Sequence, residues 1–290
     1  MDIRTIEDFL TAPEYEIKLV EKDLDLISKL QKYLAWMNSP TGHRVEATFR
    51  LGYSGEERKL GLHASQLSQK GKCKLSHYYD ATEEQAATQT TTLDTQIIYD
   101  HGTVIHSLFQ TYFLDMFEHS DGEGNDFIPE FPVVLPEWYY TSSTDGLLDR
   151  GSYRALFELK SVKEGKDDTS YGFAKYLRSP SADHVRQLRQ YMKIADVPFG
   201  YILYYCKNNG KMKGYTIRWD QEEWDSFYNE ELHPVLVAIN TKTPPEPKIG
   251  FHCKDCQWRI VCPHGKKYTN DKRTKEDRYA LARAKARNRR

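Results

Sequence analysis

Asp145, Glu158 and Lys160 are spaced so that one β-hairpin brings all three to a single face. Gly151-Ser152 suits a two-residue type II′ turn, which takes glycine at its first central position. That turn pairs Arg150 with Tyr153, and counting outward sets Asp145 opposite Glu158. Two carboxylates opposed across a ladder repel, so stability alone gives no reason for the pair. A divalent cation between them reverses the sign, because Mg²⁺ and Mn²⁺ prefer hard oxygen ligands. Strand alternation puts Lys160 on the Glu158 face, while Phe157 and Leu159 point to the other face and the core. The plainer reading is a surface hairpin with an ordinary Glu–Lys pair. Asp149 is the rival first acid, closer in sequence to Glu158.

The second chemical feature is Cys253-x2-Cys256-x5-Cys262. Three sulfurs so close in sequence reach one centre, and a tetrahedral site needs a fourth ligand. His252 or His264 completes a zinc site, and Cys73 completes either zinc or an iron–sulfur centre. Five cysteines in 290 residues are too few for a disulfide scaffold. Cys206 ends the apolar run from Phe199 and reads as a buried core thiol. No apolar run reaches the roughly 18 residues of a membrane span, and the N-terminus has no signal-peptide pattern. The expectation is a soluble, cytoplasmic protein that makes no use of a membrane.

The remaining sequence must position these groups. Ile17, Val20, Leu24, Ile27, Leu30 and Leu34 recur at helical spacing, and Asn38-Ser39-Pro40-Thr41-Gly42 ends that helix. Residues 81–95 read as a surface loop or weak helix, and residues 97–117 as a buried helix containing His106. Strands are expected over residues 127–135, 139–149, 153–162, 199–205 and 213–219, with helices over 183–195 and 221–239. Thr243-Pro244-Pro245-Glu246-Pro247 links to the cysteines. The net charge of −1 hides a basic tail: Lys266 to Arg290 holds eleven Lys/Arg against three acids. It is either a solvated helix end or an arm for phosphates. There is no repeat and no Walker-type phosphate loop, hence no recognisable motor.

Taken in order, these motifs resemble the PD-(D/E)XK nuclease superfamily, in its RecB-like branch with an iron–sulfur cluster. That branch includes the CRISPR-adaptation nucleases of the Cas-four family, AddB-type helicase–nucleases and related phage exonucleases. Leu62 to Leu67, followed by Cys73-Lys74-Leu75-Ser76-His77-Tyr78-Tyr79, resembles the segment with the first cluster cysteine. Lys74 stands where the family often has proline. Gly102 to His106 resembles the G-x-x-x-H helix, and Pro129 to Val133 the strand leading to the site. Thr144-Asp145-Gly146 with Glu158-Leu159-Lys160 resembles the signature pair, and Gln187 to Tyr191 the Q-x-x-x-Y helix. The coverage is residues 62–263.

The resemblance implies an α/β restriction-endonuclease-like core, a mixed central sheet flanked by helices, with a C-terminal cysteine-cluster module. The expected division is residues 1–61 as a helical region, 62–248 as nuclease core, 249–265 as the module closing on Cys73, and 266–290 as the tail. It implies Mg²⁺ or Mn²⁺ held by His106, Asp145, Glu158 and the Leu159 carbonyl, with Lys160 as an electrostatic group. Gln187 and Tyr191 would contact the active site and backbone phosphate. Cys73, Cys253, Cys256 and Cys262 would hold a [4Fe–4S] cluster, with Zn²⁺ as the alternative. The implied activity is that of a metal-dependent DNA exonuclease preferring single strands or ends. Tyr171, Phe173, Lys175, Tyr176 and Arg178 are candidate strand contacts. Two alternatives remain: a DNA-trimming subunit acting with an integrase, recombination or replication partner, and a non-catalytic metal-stabilised DNA-binding module.

Overall fold

The computed structural model describes residues 3–47, 60–69, 71–82, 93–120, 126–165, 172–250, 253, 256–259 and 261–264. Six helices come first among these residues: α1 (Ile6–Thr11), α2 (Glu14–Asp23), α3 (Leu26–Met37), α4 (Ala64–Leu67), α5 (Lys74–Thr82) and α6 (Leu93–Ser120). Strands β1 (Asp126–Leu135), β2 (Tyr140–Asp149) and β3 (Arg154–Val162) follow. Helix α7 (Ala182–Ala195) leads to β4 (Phe199–Cys206) and β5 (Met212–Arg218). The last elements are α8 (Gln221–Phe227), a π-helical turn over Tyr228–Leu232, and α9 (His233–Thr241). Residues 83–92, most of the stretch read as a loop or weak helix, and the basic tail lie outside the described residues, as do His252 and Tyr171. Among the described residues no helix is long and apolar enough to cross a membrane.

The chain divides into two compact units, each built from separated stretches of sequence. The first comprises Met1–Gly52, Tyr99–Leu135 and Thr141–Gln221. Its five-stranded sheet runs in the order β1-β2-β3-β4-β5. Strands β2 and β3 are antiparallel, β3 and β4 parallel, and β4 and β5 antiparallel. This is the mixed α/β architecture expected from the sequence. A parallel neighbour requires a crossover, and α7 supplies it between β3 and β4. Gly200 on β4 lets α7 lie close: a Cβ there would meet Leu188 Cδ2 at 2.5 Å.

Phe157 and Leu159 enter the apolar core with Leu24 and Leu30 from the N-terminal helices and Phe109 and Phe113 from α6. The helix expected over residues 17–34 is two helices in the structure. Asp25 accepts a hydrogen bond from Ser28 N–H at 3.2 Å and starts α3 afresh. Aspartate is favoured at such a cap, which apolar spacing alone does not register. The turn lets both Leu24 and Leu26 reach the core. The long helix read over residues 221–239 is likewise interrupted, by the π turn.

The second unit comprises Tyr53–Ile98, Pro136–Tyr140 and Glu222–Arg290. Within it α5 packs on α9, and Leu62 N–H donates to the Tyr139 carbonyl at 2.7 Å. Trp138 stacks on Trp224 with an interplanar angle of 10°. Asp80, on α5, accepts from Trp258 Nε1 at 2.7 Å and also from Gln257. Those bonds anchor the segment between Cys256 and Cys262 to the helix that begins just after Cys73.

Asp23 joins α2 to the sheet of the first unit. It receives Lys29 Nζ and Tyr153 OH, each at 2.5 Å, and lies 3.2 Å from Arg150 Nε. Burial opposes its charge, but these donors more than compensate and hold the carboxyl below its ordinary 3.8. The resulting stability is present above 3.8 and is lost as pH falls through the lowered folded value. Asp23→Asn should therefore cost about 1–3 kcal/mol at neutral pH. Urea melts of both proteins at pH 7 and at progressively lower pH should show the gap closing in acid.

Candidate active site and cysteine cluster

The hairpin ladder runs Asp149↔Arg154, Leu148↔Ala155, Leu147↔Leu156 and Gly146↔Phe157. Gly151 takes φ +71°, as a two-residue turn between the strands requires. Beyond Gly146 side chains take over from the backbone ladder. Thr144 Oγ1 donates to the Phe157 carbonyl at 2.6 Å, and Leu159 N–H donates to Asp145 Oδ2 at 2.6 Å. The first acid thus sits where β2 parts from β3, fastened to the residue between Glu158 and Lys160. Asp149 is committed elsewhere: it accepts from Gly151 N–H and Arg154 Nε at the turn.

Glu158 is 4% exposed. Its Oε1 accepts from Lys160 Nζ at 2.6 Å and from Gln187 Nε2 at 2.9 Å. Lys160 Nζ also donates to Gln187 Oε1 at 3.0 Å, and Gln187 Nε2 lies 2.9 Å from the Tyr191 hydroxyl. Gln187 and Tyr191 share a face of α7 because they are four residues apart. Burial pushes Glu158 up to about 7, against the pull of Lys160 and with Asp145 adding to the rise. Burial also opposes the Lys160 charge, but Glu158 more than offsets it and raises the ammonium above its ordinary value. Of the two, Lys160 keeps its proton. The Glu158 carboxyl is desolvated, and the Lys160 ammonium beside it offsets that burial only in part.

His106, on α6, places Nδ1 2.8 Å from Asp145 Oδ1. Burial opposes protonation of the ring, and Asp145 overcomes that, so the imidazole sits above its ordinary value. Two carboxylates and an imidazole suit a hard divalent cation in donor type. The side chains are nevertheless joined pairwise, His106 to Asp145 and Glu158 to Lys160. Among the described residues only His43, Asp115 and His119 bring three ligand atoms within 4.8 Å of one another.

Two neighbours were not singled out in the sequence. Gln110 Nε2 donates to Glu130 Oε1 at 2.7 Å and to the Asp145 carbonyl at 3.1 Å. Gln110 lies one turn beyond His106 on α6, and that i,i+4 spacing was its available signal. Glu130 belongs to the Pro129–Val133 motif and takes φ +49°. The candidate strand contacts divide. Phe173 is buried in the core and so is no contact residue. Tyr176 stacks on Tyr204 at 4.2 Å between ring centroids. Lys175 and Arg178 are exposed.

In the second unit Cys73, Cys253, Cys256 and Cys262 line one cavity, together with His264 and Trp258. Lys248 N–H points at Cys73 Sγ at 3.3 Å, and Gly250 N–H at Cys253 Sγ at 3.4 Å. Burial raises the Cys256 thiol, and the other three sulfurs add to the rise. Four sulfurs lining one cavity are a donor set that calls for positive charge. Cys206 is buried in β4 of the other unit.

The sequence matches no protein-family model and no curated protein. Among solved structures, a protein named SSO0001 is similar over 84% of this chain and 96% of its own, at 14% identity and a TM-score of 0.41. An alkaline exonuclease, LHK-Exo from Laribacter hongkongensis, is similar over 62% of this chain and 92% of its own, at 13% identity and a TM-score of 0.35. LHK-Exo in complex with dAMP aligns over 63% of this chain and 89% of its own, at 12% identity and a TM-score of 0.41. Likenesses this distant leave function to be argued from the side chains.

Gln187 bridges the buried Glu158 and Tyr191 and the half-buried Lys160, so Gln187→Ala should cost about 1–3 kcal/mol and Tyr191→Phe about 1 kcal/mol. Because the two residues share one network, the double variant should cost less than the sum, by at least about 0.5 kcal/mol. Denaturant melts of the three variants measure this coupling.

Proposed function

We propose that the protein is a metal-dependent DNA exonuclease that hydrolyses phosphodiester bonds and prefers single strands or ends. The observation that carries this reading is the buried Glu158, held by Lys160 and Gln187 one strand from the His106–Asp145 pair. Structural stability does not require a desolvated carboxylate beside a second acid, whereas cation binding does. His106, Asp145, Glu158 and the Leu159 carbonyl would hold Mg²⁺ or Mn²⁺, which when bound polarises a phosphoryl oxygen and acidifies the attacking water. Lys160 presents a protonated ammonium to charge developing on the phosphorane. Gln187 fixes the direction of that ammonium and of Glu158 with one side-chain amide. Tyr191 holds Gln187 in turn, through a hydroxyl that burial keeps protonated. The preference for single strands rests on the lack of any motor motif, without which the chain cannot part a long duplex.

Asp145→Ala, Glu158→Ala and Lys160→Ala should each lower cleavage by on the order of 100-fold or more. End-labelled single- and double-stranded DNA, incubated with Mg²⁺, Mn²⁺ or EDTA, is the assay. Substantial activity in both acid variants, or full activity in EDTA, would overturn the reading. Loss of activity in Asp149→Ala alone would move the first acid to the turn.

The same reading assigns the four cysteines a [4Fe–4S] cluster. Cys73, Cys253, Cys256 and Cys262 line one cavity, so four thiolates can share one centre. Tetrahedral zinc accepts the same ligands and is the alternative. Protein purified without oxygen should be brown and carry about one cluster per chain. Cys73→Ala should lose metal and melting temperature as severely as Cys256→Ala, because binding energy is folding energy here. Colourless, zinc-loaded protein from an anaerobic preparation would reject the cluster.

A further inference from the structure

Away from the active site, three side chains that neither the sequence motifs nor the proposed chemistry uses converge in the first unit. His43, in the stretch after α3, places Nε2 2.9 Å from Asp115 Oδ1. His119, one turn beyond Asp115 on α6, places Nδ1 3.4 Å from the same oxygen. Its Nδ1 also lies 3.0 Å from the Asp115 carbonyl oxygen. One ligand atom from each residue falls within the 4.8 Å shared span.

The surroundings fix this trio. Tyr33 donates its hydroxyl to the other carboxylate oxygen, Asp115 Oδ2, at 2.5 Å, so Oδ1 is left to face both rings. Trp36 packs edge-on against His43 at 5.0 Å and stacks on His119 at 6.3 Å. The imidazole centroids are 4.8 Å apart. A carboxylate oriented by a hydroxyl, with ring ligands held by packing, is how outer groups set a metal site. Asp115 is well covered, at 13% side-chain exposure, whereas His43 and His119 are 38% and 45% exposed. The trio thus has a solvent-facing side, through which an ion can enter and on which a water can complete four-coordination.

We propose that His43, Asp115 and His119 form a separate metal site for a zinc-type transition-metal dication. Two imidazoles and one carboxylate suit Zn²⁺ or Co²⁺ and disfavour Mg²⁺, which takes oxygen ligands and keeps its waters. The bound ion ties the stretch following α3 to the C-terminal end of α6, the helix that also carries His106. His119 is about 20 Å along the helix axis from His106, at 1.5 Å per residue. The ion's role is therefore to hold that helix rather than to take part in chemistry.

The test uses the full chain and its His43→Ala and His119→Ala variants, each dialysed against Zn²⁺ and then against metal-free buffer. Wild type should retain one zinc equivalent more than either variant. Its melting temperature should rise on the order of 5 °C at Zn²⁺ near 100 times Kd, and this component should vanish in the variants. Mg²⁺ should give no difference between wild type and variants. Co²⁺ separates this site from the cysteines: the variants should lose weak visible bands while keeping any thiolate charge-transfer absorption. Tyr33→Phe should weaken Zn²⁺ binding about 10-fold without abolishing it. If a variant fails to fold, diethylpyrocarbonate labelling of wild type gives the answer, since Zn²⁺ should protect His43 and His119. Equal zinc content in wild type and both folded variants, or undiminished labelling of both histidines under Zn²⁺, would overturn the proposal.

Discussion

A carboxylate taken out of water in the middle of a sheet must be compensated, and Glu158 imposes that constraint on everything around it. Lys160 can answer it because strand alternation returns the side chain to the same face two residues on. Lys160 alone is not enough, since burial still dominates the Glu158 carboxyl. The remaining hydrogen bond comes from Gln187, so α7 must lie close against β3 and β4. Gly200 makes that approach possible by removing the Cβ that Leu188 would strike. The placement of a whole helix thus follows from the needs of one buried acid.

The opposite face of β3 supplies the rigidity that this polar network lacks. Phe157 and Leu159, which flank Glu158 in sequence, are each 1% exposed and packed among aromatic and aliphatic side chains. A strand anchored this way cannot slip by one residue, because slippage would exchange its apolar and charged faces. Asp145 exploits the same fixed register at the point where the ladder opens. Its carboxylate replaces a lost strand partner for Leu159 N–H and still faces His106. The backbone hydrogen bond and the arrangement of charges are therefore secured by one side chain.

Closure over long stretches of chain recurs in both units. Near Cys73, Asp80 ties α5 to the Trp258 segment that lies between Cys256 and Cys262. His43 reaches Asp115 and His119 because α3 packs against α6 through Tyr33. In each case a hydrogen bond beside the donor set brings distant residues together, and an ion bound there would add its own energy to that closure.

Several of these features can be read directly along the chain. The alternation around Glu158, the glycine-led turn and the four-residue spacing of Gln187 and Tyr191 are local regularities. They specify strand faces, register and a helix face without reference to the rest of the molecule. The cysteine spacing likewise sets three sulfurs near one centre. The break between α2 and α3 was less legible, because the Asp25 cap overrides an unbroken apolar period. His106 with Asp145 was implied only by the resemblance, and the meeting of Gln110 with Glu130 and of His43 with Asp115 and His119 leaves no comparable local trace. Their partners come from different elements, and whether they meet depends on how helices settle on the sheet. Periodicity determines which way a side chain points from its own element. Only packing determines what lies opposite it, because that choice is made by the fit of apolar surfaces far apart in sequence.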